Sequence, residues 1–477
     1  MIDRLDDLLG GALERTVDRH HRSRLRRLGQ SDALSPAGPE LGTSDRPVRH
    51  GCAVHVLIDG DEALAAVADA LAGARSHVHI AGWHLTPGFR LRRDPGTPAL
   101  HTVLAELAER VDVRVLLWAG PPLPLFRPTR PMMKDVQTQL MRGSKVKCVL
   151  DARERTMHCH HEKVIVIDDE VAFVGGIDLS DLSGDRWDRN AHPPRSATGW
   201  HDVSTRLQGP IVADVAQHFR DRWQEVARED LPPPAVPEPA GEVTVRLLRT
   251  VPEKTYDFAP RGEFSILAAY LRALGSAREF IYLENQFLWS TEIVDILAEK
   301  LRHPPQPDFR IVLVLPVRPS SGRDTTRGQL GRLLDADGGA GRLLATTVRA
   351  HADGRADPLY VHAKVGIVDD AWLTIGSANL NEHSLFNDTE VNIVSQDRTL
   401  TRSTRLRLWA EHLECAVSEV EGDPVAVIDS RWRPRAVEQH ERDVEHSAVT
   451  HRLVELPGVS RRTERLLGPV RGLLVDG

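Results

Sequence analysis

One pattern occurs twice in this chain, and the repetition limits what the chain can fold into more than any other feature. HEKVIVIDDEVAFVGGIDLS begins at His161 and HAKVGIVDDAWLTIGSANL at His362, each reading HxKxxxxD followed by a pair of small residues. His161 aligns with His362, Lys163 with Lys364, Asp168 with Asp369, Gly175-Gly176 with Gly376-Ser377, and Asp178 with Asn379, always 201 residues apart. A gapless polar repeat of this length predicts a duplicated domain whose halves each contribute half of one site.

The chemistry follows from the spacing. In an extended strand, positions i and i+2 share a face, so HxK projects an imidazole and an ammonium side by side, with VIVI or VGIV as the buried strand behind them. Lysine is scarce here, seven of 61 basic residues, yet it recurs at the same place in both copies, where a compact ammonium is wanted. Two such edges brought together give two imidazoles and two ammonium groups around one centre. Core packing has no use for that arrangement, whereas a tetrahedral phosphate does. One neutral imidazole attacks phosphorus while the other protonates the leaving alcohol, and Lys163 and Lys364 stabilise the nonbridging oxygens. Each imidazole needs a carboxylate to fix its tautomer. Asp202 in WHDVSTRL and Glu390 in DTEVNIV are the candidates, with Asp202 expected behind His161. Asp168 and Asp369 lie past the strand, where turn capping competes with a catalytic role. Asn379, Asp178, Ser377 and the loop at Gly176 are the candidate substrate-binding groups.

From His55 onward apolar strands alternate with amphipathic helices, the pattern of an α/β fold built as two similar lobes with mixed central sheets. Expected strands are His77 to Gly82, Val113 to Trp118, Lys145 to Leu150, Val164 to Ile167 and Val171 to Val174, with helices near Asp61 to Ala74, Ala99 to Arg110 and Pro131 to Arg142. The order returns as helix Glu263 to Ala277, strand Phe280 to Glu284, helix Thr291 to Arg302, strand Arg310 to Leu315, helix Asp324 to Leu334 and strand Ala345 to Arg349. The proline run at 231–241 is the expected boundary, giving lobes 51–230 and 242–421 flanked by an N-terminal helix and linker, 1–50, and a tail, 422–477. Residues Ile2 to Leu28 form an amphipathic helix with a basic end, either packed on the body or touching anionic lipid.

Composition narrows the class. The chain is 41% hydrophobic and 27% charged with a net charge of −7, so the whole molecule is not a polyanion binder. Cys52, Cys148, Cys159 and Cys415 lack the spacing of a disulfide framework or zinc ribbon. HCHH at His158 to His161 invites a metal reading, but adjacent strand residues cannot all face one ion, and no metal or other cofactor is expected. With no signal peptide and no membrane-spanning run, the expected compartment is the cytoplasm with peripheral membrane contact left open.

HEKVIVID with GGIDL, and HAKVGIVD with GSANLN, resemble the two HKD motifs of the phospholipase D superfamily. The resemblance runs from about His55 to Glu419. It includes WHDVSTRLQGPIVADVAQHFRDRW, similar to the segment after the first motif in eukaryotic-type members, AGWHLTP, and IYLENQF, similar to the IYIENQ strand. It implies a two-lobed fold and metal-independent phosphodiester cleavage through a covalent phosphohistidine, released by water or an alcohol. It further implies that His161 is the nucleophile and His362 the general acid, that Asp202 and Glu390 orient them, and that Glu284 and Gln286 line the pocket. Asp178 departs from the Asn that many members carry. With no lipid-binding module expected ahead of the core, recruitment falls to the short helices or the site rim. The implied substrate is a phospholipid, turned over by a phospholipase D or cardiolipin synthase type of enzyme. A nuclease on the same chemistry is the alternative, disfavoured by the mild acidity. Because both motifs lie in one chain, a monomer is expected.

Overall fold

The computed structural model describes residues 16, 18–38, 41–122, 127–153, 158–181, 199–317, 323–352 and 355–456. The first half runs β1 (Val48–Ile58), α1 (Asp59–Ala72), β2 (His77–Gly82), α2 (Leu100–Leu107), β3 (Asp112–Trp118), α3 (Arg130–Met141), β4 (Lys147–Asp151), β5 (Val164–Ile167), β6 (Val171–Gly175), β7 (Gly199–His201), β8 (Val203–Gln208) and α4 (Ile211–Ala227). The second runs β9 (Val243–Val251), β10 (Glu263–Phe264), α5 (Ser265–Ser276), β11 (Phe280–Glu284), α6 (Thr291–Arg302), β12 (Arg310–Val314), α7 (Arg323–Asp337), β13 (Leu343–Ala352), β14 (Arg355–Val361), β15 (Val365–Val368), β16 (Trp372–Gly376), β17 (Glu390–Ser395) and α8 (Arg398–Leu413).

The motif strands explain the layering. Along β5, Val164 and Val166 face a central core shared by both halves, while Ile165 and Ile167 face an outer core under the helices of the first half. In β15, Val365 and Ile367 likewise face the central core and Val368 an outer core under the helices of the second half. A strand buried on both faces reads as a continuous apolar run, which is why VIVI and VGIV carry no alternation. Helices α4 and α8 lie in the central layer, contributing Phe219, Trp223, Leu408 and Trp409.

Strand order in the first half is β4-β3-β2-β5-β6-β8-β1 and in the second β13-β12-β11-β15-β16-β17-β9. The hairpins repeat in register, Val164 opposite Val174 and Val365 opposite Ile375. Each half carries the expected mixed central sheet, and the two are continuous. Equivalent edge strands β1 and β9 pair antiparallel, joining the sheets and protecting both edges, and β7 pairs parallel with β14. Residues 231–241, without helix or strand, lead from α4 to β9, anchored by Arg220 Nε on the Pro232 carbonyl at 2.7 Å.

Helix α6 and strands β2, β5 and β11 match the expected bounds. Strands β1 and β9 were not expected. In the tail, α9 (Arg433–Val444) packs on the body, and β18 (Leu453–Glu455) extends the second sheet beside β13. Of the N-terminal helix, 18–28 is helical; its residues 2–15 and 17 and the closing VSRRTERLLGPVRGLLV lie outside the described residues, as does the polar segment 183–198 after the first motif.

A buried charge cluster pins the segment that carries the first motif. Arg222 on α4 binds Asp151 at 2.6 Å and also binds Glu162, while its Nε donates to the Tyr256 hydroxyl at 2.9 Å, all side chains being buried. Burial opposes ionisation of both carboxyls, and the charges around them outweigh it and hold both well below the usual carboxylate range, His160 with Arg222 for Asp151 and Arg222 with His218 for Glu162. Arg222→Met leaves two buried carboxylates without their cation, and urea denaturation is expected to show a loss of about 3–5 kcal/mol. A loss under about 1 kcal/mol would mean the cluster is not a stabilising element.

Candidate active site

Each motif histidine starts just before its strand, on a segment hung from the opposite half. His161 N–H donates to the Thr389 carbonyl at 3.0 Å, and His362 N–H donates to the His201 carbonyl at 2.8 Å. Thr389 and His201 are the residues immediately before Glu390 and Asp202. The orienting carboxylates therefore cross between halves. His161 Nδ1 lies 3.0 Å from Glu390 Oε1, and His362 Nδ1 lies 2.6 Å from Asp202 Oδ2. This corrects the expectation that Asp202 stands behind His161. Each contact holds the ring proton on Nδ1, so chemistry at either ring falls to Nε2.

The small residues after each motif strand let the acids approach. A Cβ at Gly176 would sit 2.1 Å from Asp202 Oδ1, so only glycine fits. At the equivalent position Ser377 donates to Glu390 Oε2, and Ser384 donates to its Oε1. Gly176 and Ser377 thus serve the orienting acids.

The lysines fold back beside their own histidines. Lys163 Nζ donates to the His161 carbonyl at 2.8 Å and pairs with Asp178 at 3.0 Å; Lys364 Nζ donates to the His362 carbonyl and to Gln286 Oε1, the latter at 3.2 Å. Asn379 Nδ2 donates to the same Gln286 oxygen at 3.3 Å. Asp178 and Asn379 therefore occupy matching places, an acid against one ammonium and an amide near the other. His161 and His362 are 4% and 3% exposed, so the described residues nearly enclose the centre.

Electrostatics separate His362 and its carboxylate from an ordinary surface pair. Burial pushes the Asp202 carboxyl up to about 7, against the pull of Lys364 and His201. Burial, then the charges of Lys364, Lys163 and His161, push the His362 imidazole well below its usual range. Without an anion the centre resists a proton on His362; an arriving phosphate reverses that balance.

Other expected site residues lie elsewhere. Asp168 accepts backbone N–H groups of Arg75, Ser76 and His77, and Asp369 those of Arg278, Glu279 and Phe280, with positive φ of 57° and 51°. Both are turn carboxylates at the far end of the motif strand, so of the two competing roles the contacts are those of turn capping, away from the histidines. Glu284 does not line the pocket either: it is fully buried against His201 at 2.7 Å and His412 at 3.0 Å. Sequence reasoning missed Ser384, Trp200 and His201; Trp200 packs its ring 4.4 Å from that of His362.

Two family models match the chain, one described as Phospholipase D over residues 70–198 and one as Cardiolipin synthase, PLD-like domain, over residues 270–409, each containing one motif. Phospholipase D A of Dictyostelium discoideum is 27% identical across 77% of this chain and 36% of its own length. Phospholipase D1 of Schizosaccharomyces pombe is 26% identical across 88% and 37%, and Phospholipase D alpha 3 of Arabidopsis thaliana 26% across 72% and 62%. The chain thus spans about a third to under two thirds of the length of these curated relatives. The crystal structure of phosphatidylserine synthase from Haemophilus influenzae Rd KW20 superposes with a TM-score of 0.52 at 12% identity, covering 89% of this chain and 99% of that one, a likeness of fold.

Proposed function

The chain belongs to the phospholipase D superfamily, and from that premise we propose that it is a phospholipid phosphodiesterase or phosphatidyltransferase acting through a phosphohistidine. The observation that carries this reading is the crossed anchoring of two imidazoles, close enough for the charge of His161 to act on His362, each with Nδ1 on a carboxylate from the other half and a lysine alongside. In the first step His161 Nε2 attacks phosphorus, the bond from phosphorus to the alcohol oxygen breaks, and His362 Nε2 gives that oxygen its proton. In the second, water or an alcohol gives its proton to His362 as its oxygen attacks phosphorus and displaces His161. Lys163, Lys364 and Asn379 offset the charge on the nonbridging oxygens.

Phospholipid is favoured over nucleic acid by the names of the relatives and by a net charge of −7, which supplies no general field for a polyanion. A cardiolipin synthase type of transfer is the second reading, favoured by the description of the model matching the second half; it differs only in the alcohol that resolves the intermediate. In this reading 51–230 and 242–421 are the two half-site lobes of a monomer working in the cytoplasm with peripheral membrane contact. No helix among the described residues is long and apolar enough to cross a membrane.

The test is a side-by-side assay. Labelled phosphatidylcholine or phosphatidylglycerol with ethanol is expected to yield phosphatidylethanol. Cleavage of single-stranded DNA without lipid turnover transfers the assignment to a nuclease.

A further inference from the structure

The two half-sites share a frame but not what stands behind it. Strand register makes Ala81 the counterpart of Glu284, since they lie opposite the equivalent residues Val164 and Val365. Thr389 and His201 are likewise counterparts, each directly preceding an orienting acid. The half-site of His161 and Glu390 therefore has an alanine and a threonine where that of His362 and Asp202 has a buried carboxylate and a buried imidazole.

These two groups belong to a chain of contacts that ends on His362. His201 Nε2 lies 2.7 Å from Glu284 Oε2, and His201 Nδ1 lies 2.8 Å from Asp59 Oδ1. A neutral imidazole has one N–H, so it can satisfy only one of these oxygens; both require an imidazolium. Asp59, at the start of α1 with φ 60°, also accepts the Asp202 N–H at 3.0 Å and donates its own N–H to the Asp202 carbonyl at 2.8 Å. The His201 carbonyl takes the His362 N–H, and the Asp202 side chain takes His362 Nδ1. His201, Asp59 and Glu284 are all 0% exposed, which makes an unpaired charge among them costly.

We propose that His201 is a positioning residue, a permanent imidazolium clamped by Asp59 and Glu284, which fixes Asp202, lowers the proton affinity of the Asp202–His362 pair as a whole and keeps Asp202 ionised, so that a proton the pair takes up sits on the second-motif histidine. The clamp is one-sided, and it gives two nearly equivalent histidines different tasks. The division of labour rests on the phosphodiesterase reading; the imidazolium itself does not.

The charged groups around the network are these. His201 meets Asp59, Glu284, the ring of His412 at 4.7 Å and the Glu411 carboxylate within 4.8 Å. Glu284 also meets His412 and the Tyr282 hydroxyl. Asp202 meets His362, Lys364 and Lys163, and His362 feels Lys364, Lys163 and His161. Burial alone would lower the His201 imidazole, and the Asp59 and Glu284 carboxylates outweigh it and raise it well above its usual value. Loss of that cation raises the proton affinity of the neighbouring pair, which titrates as a unit.

The test uses 15N-histidine-labelled full-length protein, so that binding of a proton is read without activity. In the wild type one ring is expected to keep both N–H groups at pH 9, and its signal is absent from His201→Gln. In Glu284→Gln, which leaves Asp59 in place, the same signal is expected to titrate at a lower pH than in the wild type. In His201→Gln the titration of His362 is expected to move up by about one unit, a tenfold change in the protonated fraction. An effect on packing alone would lower activity without moving that titration. The proposal is overturned if no ring stays doubly protonated at pH 9 in the wild type, or if both folded variants leave the signal and the His362 titration unchanged. Failure of the function would appear separately, as absent lipid turnover in a wild type that shows the imidazolium.

Discussion

Alanine at His161 or at His362 is expected to lower turnover of a phosphodiester by about four to six orders of magnitude, and the double variant is expected to be no worse than either single one. Residues that act as a unit lose their joint effect once either is gone, so the non-additivity is the informative part. The fold is expected to survive. Glu390 keeps the hydroxyls of Ser377 and Ser384 when His161 is removed, and Asp202 keeps the Val203 N–H at 2.8 Å when His362 is removed. Equal denaturation midpoints with no turnover would place the loss in chemistry. The variants part company in the intermediate. Reaction with labelled substrate stopped in alkaline detergent, where a phosphorus–imidazole bond survives, is expected to leave no adduct on His161→Ala, whereas His362→Ala forms the adduct slowly with an alcohol leaving group. Near-normal turnover in either single variant would remove the shared site.

The polar repeat made the centre legible before any coordinates, because a gapless match of His and Lys in two copies has no explanation in core packing. Which acid serves which histidine was not legible. Asp202 and Glu390 each follow their own motif, and each backbone does lie beside that motif, Gly176 N–H on the Val203 carbonyl and Ser377 N–H on the Val391 carbonyl. Only the facing of the halves sends the carboxylates across. Glu284 misled through the likeness of IYLENQF, which groups it with Gln286: β11 ends at Glu284, whose carboxylate is buried on His201 and His412, while Gln286, past the strand, reaches Lys364 and Asn379. Asp168 and Asp369 sit where the motif spacing is fixed by a tight turn at positive φ, so their recurrence reflects backbone geometry and not the reaction. Strands β1 and β9 escaped because RHGCAVH and EVTVRLLRT mix charge into the edge strand of each half, whose outer partner exists only once the halves meet.

The crossed pairing yields a sharper expectation than the loss of either histidine. Glu390→Gln removes the carboxylate from the nucleophile His161, and Asp202→Asn removes it from the acid His362, each keeping size and a hydrogen-bonding oxygen. Both are expected to lower kcat/KM by about 10²–10⁴ with a phospholipid, where the leaving group is an alkoxide that needs a proton. A p-nitrophenyl phosphodiester changes the comparison, since nitrophenolate leaves without protonation. With that substrate Asp202→Asn is expected to regain most of the rate for the first step, while Glu390→Gln remains impaired because attack on phosphorus is still required. The sequence-adjacent pairing, with Asp202 on His161, predicts the opposite rescue. Measuring kcat/KM for both variants on both substrates therefore decides between crossed and uncrossed carboxylates, and it does so in solution. Trp200, packed on His362 at 4.4 Å, offers a check in the same series. Its removal alters the ring's setting without touching Glu390, so Trp200→Phe is expected to follow the Asp202→Asn pattern at smaller amplitude.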